Sequence, residues 1–193
     1  MAGLRRATRQ RTHRFPMNVQ QTIWVSALAF TFSAAWADWR TRSIPNWLTV
    51  SGALCGFALH LGISGWRGAA VSLEGMLLAL ALLLPLVLLR ALGAGDWKLM
   101  GAAGALLGPA MLIFVLLASI LVSGGMAAAQ MVAAGRIRAT ILNIAALVRG
   151  FARFGLRPNP EISLDNPQLL KLPFGVAAAA GTLICFLAAR WVR

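Results

Sequence analysis

The 193-residue sequence holds five acidic side chains: Asp38, Glu74, Asp96, Glu161 and Asp165. Asp38 and Asp96 each stand where a long apolar run meets a polar stretch. A carboxylate at such a border is expensive to desolvate, so it tends to be functional or well paired. Two carboxylates brought close together cannot both ionise easily. One keeps its proton, and the pair can then activate a water and protonate a leaving group. That is aspartic-peptidase chemistry. Asp96 follows Gly93-Ala94-Gly95, and glycines permit the sharp turn and close backbone approach that would swing Asp96 in to meet Asp38. Each aspartate also has a plain structural alternative. Asp96 suits the N-cap of the helix that begins WKLMGAAGALLG, and Asp38 suits a solvated helix end.

The remaining reactive residues suggest no second chemistry. Glu74 opens an apolar run, where a helix N-terminus stabilises negative charge. Glu161 and Asp165 lie in a proline-rich loop and are expected to be solvated. Cys55 and Cys185 lie within apolar runs, no CxxC motif is present, and His13 and His60 are far apart. No metal, disulfide or cofactor is expected, and His60 reads as a buried or interfacial histidine and not as a proton relay.

The elements that must position the aspartates are membrane spans. Hydrophobic residues make up 59% of the chain and charged residues only 12%, and mean hydropathy is +0.75; a soluble domain carries about a quarter charged. The apolar residues fall in long Leu/Ala-rich blocks at 20–37, 46–64, 70–92, 97–107, 110–134 and 172–191. A bilayer needs about 20 apolar residues per helix, so the short, Gly/Ala-rich fourth block has to sit among other helices. The fold expected is all-α: a polytopic membrane protein of about six transmembrane helices, since lipid offers backbone groups no water. Blocks of this length exclude the ten-residue alternation of a β-barrel. The net charge of +13 reads as cytoplasmic Lys and Arg and not as nucleic-acid binding.

With those spans, loops 38–45, 90–98 and 135–171 share one face and carry ten basic residues. The opposite face carries eight, or three without the tail that holds Arg5, Arg6, Arg9, Arg11 and Arg14. The positive-inside rule then puts both aspartates at the cytoplasmic face. It also predicts that translation starts at Met17, so that 1–16 is a basic tail outside a single membrane domain, 17–193. The first apolar run reads as a retained span and not as a cleaved signal, although AWA before Asp38 resembles a cleavage site. Within 135–171, Ile137, Ile141, Ile144, Val148 and Phe151 recur at helical spacing opposite Arg138, Arg149 and Arg153. This predicts an amphipathic helix on the cytoplasmic surface, its arginines towards anionic lipid. The RPNPEISLDNP stretch after it is a loop.

Three stretches occur in order: Asp38-Trp39-Arg40-Thr41-Arg42-Ser43-Ile44-Pro45-Asn46, then Gly93-Ala94-Gly95-Asp96-Trp97-Lys98-Leu99, then Pro173-Phe174-Gly175. Together, over about residues 20 to 190, they resemble the type IV prepilin peptidase family, the GxGD aspartic membrane peptidases. The resemblance implies that Asp38 and Asp96 are the catalytic pair, Gly93 and Gly95 the motif glycines, and Lys98 the lysine that follows GxGD, read here as marking the cytoplasmic side. Pro45 and Asn46 would fix the start of the second span. Trp39 and Trp97 are not the family's commonest residues and read as interfacial anchors. The paired-cysteine region of the long members has no counterpart, so the resemblance is to the short, Flp/Tad-pilus type without methyltransferase activity. It implies hydrolysis after a leader glycine of a prepilin held in the bacterial inner membrane, with one aspartate as base and the other as acid, unassigned. The partners expected are the prepilin and membrane lipid.

Two alternatives are kept. Presenilin-like GxGD proteases carry their partner aspartate in a Tyr-Asp pair, and this chain has no Tyr. A non-catalytic scaffold or transporter subunit of a pilus or secretion system would not require Asp38 and Asp96 to approach each other.

Overall fold

The computed structural model describes residues 17–89, 92–133, 135 and 173–191. These form four α-helices: α1 (Met17–Thr41), α2 (Asn46–Leu88), α3 (Ala94–Ala133) and α4 (Phe174–Trp191). The basic tail and the expected amphipathic helix lie outside the described residues.

Two helices are broken. In α2, Ser64 (φ −134°, ψ 16°) and Gly65 (φ 58°, ψ −145°) leave helical geometry, and in α3 Gly108 (φ 72°, ψ 170°) does so just before Pro109. Both glycines sit at positive φ, which an L side chain rarely adopts. Each break therefore divides its helix into two arms.

The contacts fix the direction of each arm. Along the first arm of α2, Asn46 meets Lys98 and His60 meets Leu106 of α3, so the two run parallel. Along the second arm, Leu80 meets Trp97 and Ser72 meets Ala105, so the order is reversed. The α2 helix is therefore a hairpin folded at Ser64–Gly65, with the first arm of α3 packed against both sides. Helix α4 is antiparallel to α1, since Gly175 meets Asp38 and Trp24 stacks at 6.0 Å from Phe186. The second arm of α3 returns towards the Asp38 end, because Ser119 packs against Gly181, one or two turns from Gly175. Six helical segments thus alternate in direction.

Small residues make this packing possible. A Cβ on Gly75 would strike the carbonyl oxygen of Gly104, and one on Gly104 would strike that of Gly75. Every residue from Leu99 to Gly108 is buried. The short fourth block therefore sits among other helices, as its length requires. Buried polar groups are satisfied inside: His60 Nε2 lies 3.0 Å from the Leu106 carbonyl oxygen, and Ser72 Oγ donates to that of Ala105 at 2.8 Å.

Three helices, α2, α3 and α4, are long and apolar enough to cross a membrane. The number differs from the six spans expected, for two reasons. Each of α2 and α3 joins two of the expected spans through its break, and α1 is diluted by Gln20, Gln21, Thr22, Ser26, Thr31 and Ser33. Large apolar side chains cover the outer surface, among them Leu54, Leu77, Phe114, Leu121 and Ile184. In water such a surface would be a liability; in lipid it is the required one. Cys55 is exposed and Cys185 half-buried, and both are free thiols.

Candidate active site

Asp38 sits in the last turn of α1 and is buried, with 7% of its surface exposed. It faces inward because it shares a helical stripe with buried Ile23, Ala27, Thr31, Ala34 and Ala35. Its Oδ2 accepts a 2.8 Å hydrogen bond from the backbone N–H of Gly175. The helix ends just beyond: the N–H of Arg42 donates to the Asp38 carbonyl oxygen at 2.8 Å, and Arg42 takes a left-handed conformation (φ 53°).

The chain then turns into α2. Pro45 is the N-cap, extended at φ −64° and ψ 138°. Its carbonyl accepts from the N–H groups of Leu48 (3.1 Å) and Thr49 (3.4 Å). Pro45 therefore starts the helix as a cap and not as its first residue.

Asp96 lies in the first turn of α3, half-buried, at the third helical position. The cap position belongs to Gly93, whose carbonyl accepts from the Trp97 N–H at 3.1 Å. The structural alternative of Asp96 as N-cap is thus replaced by Gly93. A Cβ on Gly93 would stand 3.1 Å from Asp96 Oδ2, so the carboxylate folds back over the glycine. Neither Gly93 nor Gly95 is at positive φ. Gly93 makes room for the carboxylate, whereas a Cβ on Gly95 would meet Ile44 only at an ordinary contact distance of 3.7 Å.

Asp38 and Asp96 therefore come to the same end of the bundle, where Lys98, two residues after Asp96, bonds Asn46, at the helix start that follows Asp38. The scaffold alternative did not require this approach. Two carboxylates brought close together can act as an acid–base pair, one holding a proton while the other accepts one.

The flanking motif residues converge at the same end. Lys98 Nζ donates to Asn46 Oδ1 at 3.1 Å, which ties the start of α3 to the start of α2 across 52 positions. Trp39 is 72% exposed on the outer side of α1, where an interfacial anchor belongs. Trp97 differs from the anchor expected. It is half-buried against the core, and its indole Nε1–H donates to the Leu80 carbonyl oxygen at 2.8 Å. Glu74 is exposed but lies two turns beyond Gly65, so it does not open a helix. Among the described residues no three His, Cys, Asp or Glu side chains cluster to hold a metal ion.

One contact was not assigned from sequence. Pro173-Phe174-Gly175 was noted as a motif without a role, yet Gly175 supplies the polar contact on Asp38. Its lack of a side chain next to a proline-started helix was the available signal.

Compared with known proteins, residues 25–128 match the model of the type IV leader peptidase family. That match contains both aspartates and covers more than half of the 193 residues. No curated protein and no solved structure matches the chain significantly.

Proposed function

The chain belongs to the type IV leader peptidase family, and from that premise we propose that it removes the leader from type IV, Flp-like prepilins with Asp38 and Asp96 as its catalytic pair. Membership in the family carries aspartic-type peptidase activity in general, and the apolar helices make it a membrane protein. The finer reading is a single peptidase domain over 17–193 that crosses the bacterial inner membrane six times. Its dyad faces the cytoplasm, where the prepilin's basic leader lies.

The observation that carries this reading is the placement of Asp38 and Asp96 at one end of the bundle, with Asp38 at the end of α1 under Gly175 and Asp96 at the start of α3 beside the Lys98–Asn46 bond. In the reaction one carboxylate takes a proton from water, and the water oxygen bonds to the scissile carbonyl carbon. The second carboxyl group protonates the leaving amine as the C–N bond breaks. The products are a free leader carboxylate and a new pilin amino terminus. Gly93 leaves room for the Asp96 carboxylate, and Pro45, Asn46 and Lys98 join the two helix starts beside it.

The test is co-expression with an Flp-type prepilin. The wild-type protein is expected to shorten the pilin, while Asp38→Asn and Asp96→Asn each lose at least about a hundredfold in rate and still accumulate in the membrane. Normal cleavage by either variant removes that aspartate from the chemistry.

A further inference from the structure

We propose that Gly175 is a positioning residue: the first turn of α4 holds Asp38 Oδ2 through the Gly175 N–H, so that Oδ1 is the oxygen presented to the reaction. The proposal rests on the reading of Asp38 as catalytic and deepens it.

Three observations converge. The hydrogen bond is 2.8 Å long and joins residues 137 apart, so the tertiary fold and not local sequence creates it. The donor has no competing duty, because the first N–H groups of a helix have no intrahelical acceptor. Finally, a side chain here would press on the carboxylate: a Cβ at 175 would stand 3.0 Å from both Asp38 Cβ and Asp38 Oδ2, and 3.2 Å from the Ala34 carbonyl oxygen. Ala34 and Asp38 are one helical turn apart, so Gly175 is seated in the groove of α1 directly beside the carboxylate. A carboxylate buried at the end of a helix could otherwise adopt several rotamers. One fixed oxygen leaves the other in a defined direction, which is what proton transfer to a positioned water requires.

The test separates the hydrogen bond from packing. Glycolate in place of Gly175, introduced during cell-free translation into lipid nanodiscs, turns the 174–175 amide into an ester. It deletes the N–H and adds no atom, and within the helix it only weakens the Phe174 carbonyl as an acceptor. Gly175→Ala keeps the N–H but displaces Asp38. Gly181→Ala is the packing control on the same helix, since its Cβ would stand 2.7 Å from the Ser119 nitrogen, far from the dyad. Each is measured for thermal midpoint and for prepilin cleavage per folded enzyme, beside Asp38→Asn.

The expected result is a double dissociation. The ester and Gly175→Ala lower kcat about tenfold or more with KM within about twofold, and the ester does so with a smaller fall in thermal midpoint than Gly181→Ala. Gly181→Ala lowers the midpoint but leaves kcat per folded enzyme near wild type. If the ester variant retains full kcat while Asp38→Asn is inactive, the positioning role is overturned and the dyad stands. If Asp38→Asn itself cleaves normally, both readings fall.

Discussion

The hydrogen bond between Lys98 Nζ and Asn46 Oδ1 asks what a lysine does two residues after an aspartate of the pair. Its side chain is exposed and it is directed across the helix starts. A bond of this kind at the surface contributes little, about 0.5–1 kcal/mol. The two residues should therefore behave as one unit in a double-mutant cycle. Lys98→Met and Asn46→Ala are each expected to lower the thermal midpoint slightly and cleavage by no more than about threefold, and the double variant to be no worse than either alone. A much larger loss of kcat in Lys98→Met than in Asn46→Ala would assign the ammonium a direct effect on the dyad. Gly93 is a different case, because its neighbour is the carboxylate proposed to react. Gly93→Ala sets a methyl about one contact radius from Asp96 Oδ2. It should reduce kcat by about tenfold through displacement of that oxygen, measured per folded enzyme as for the dyad variants.

At the scale of elements, the decisive features are the two breaks and the clamp between α2 and α3. The Trp97 indole donates to the Leu80 carbonyl oxygen, and the Leu80 side chain packs within 2.8 Å of where a Cβ on Gly101 would be. Trp97→Phe keeps most of the apolar contact and deletes the donor, so it is expected to cost about 1 kcal/mol, read as a lower thermal midpoint in detergent. Gly75→Ala should be far worse, since two backbones meet there and neither can retreat. Loss of accumulation in the membrane is its expected readout, and normal accumulation would refute the packing at Gly75–Gly104.

Much of this layer was legible beforehand. The apolar blocks end at 64 and 107, within a residue or two of Gly65 and Gly108, because a glycine that must take positive φ also interrupts a hydrophobic run. What stayed hidden was lateral: periodicity locates a helix but does not say which helix faces it. Trp97 has the composition of an interfacial anchor, and only the reversal at Gly65 brings the Leu80 carbonyl to its indole. For the same reason the meeting of Gly175 with Asp38 could not be read from either residue's surroundings, while the meeting of Asp38 with Asp96 could be argued from the topology of the blocks. Of the sharp turn and the close approach expected of the GxGD glycines, Gly93 shows the close approach, to Asp96 Oδ2, and neither glycine takes positive φ, a distinction that residue type alone does not make.

Across the whole molecule, six alternating segments put the Met17 and Trp191 helix ends together, opposite the end that holds Asp38, Asp96, Asn46 and Lys98. If all six segments cross the bilayer with the dyad in the cytoplasm, residues at these two ends lie in different compartments. Thr41 and Arg190 are both exposed and occupy opposite ends, so each serves as a reporter when changed to Cys. The background must be Cys55→Ser with Cys185→Ser, because both native thiols are free. In intact spheroplasts a membrane-impermeant maleimide is expected to label Arg190→Cys and to spare Thr41→Cys, with the pattern inverted in inside-out vesicles. The basic residues flanking the dyad end favour this orientation over its reverse. Labelling of both positions from one side would mean an even number of crossings between them. One of the helix arms would then lie within the bilayer without traversing it, and the short first arm of α3, buried from Leu99 to Gly108, would be the first segment to re-examine.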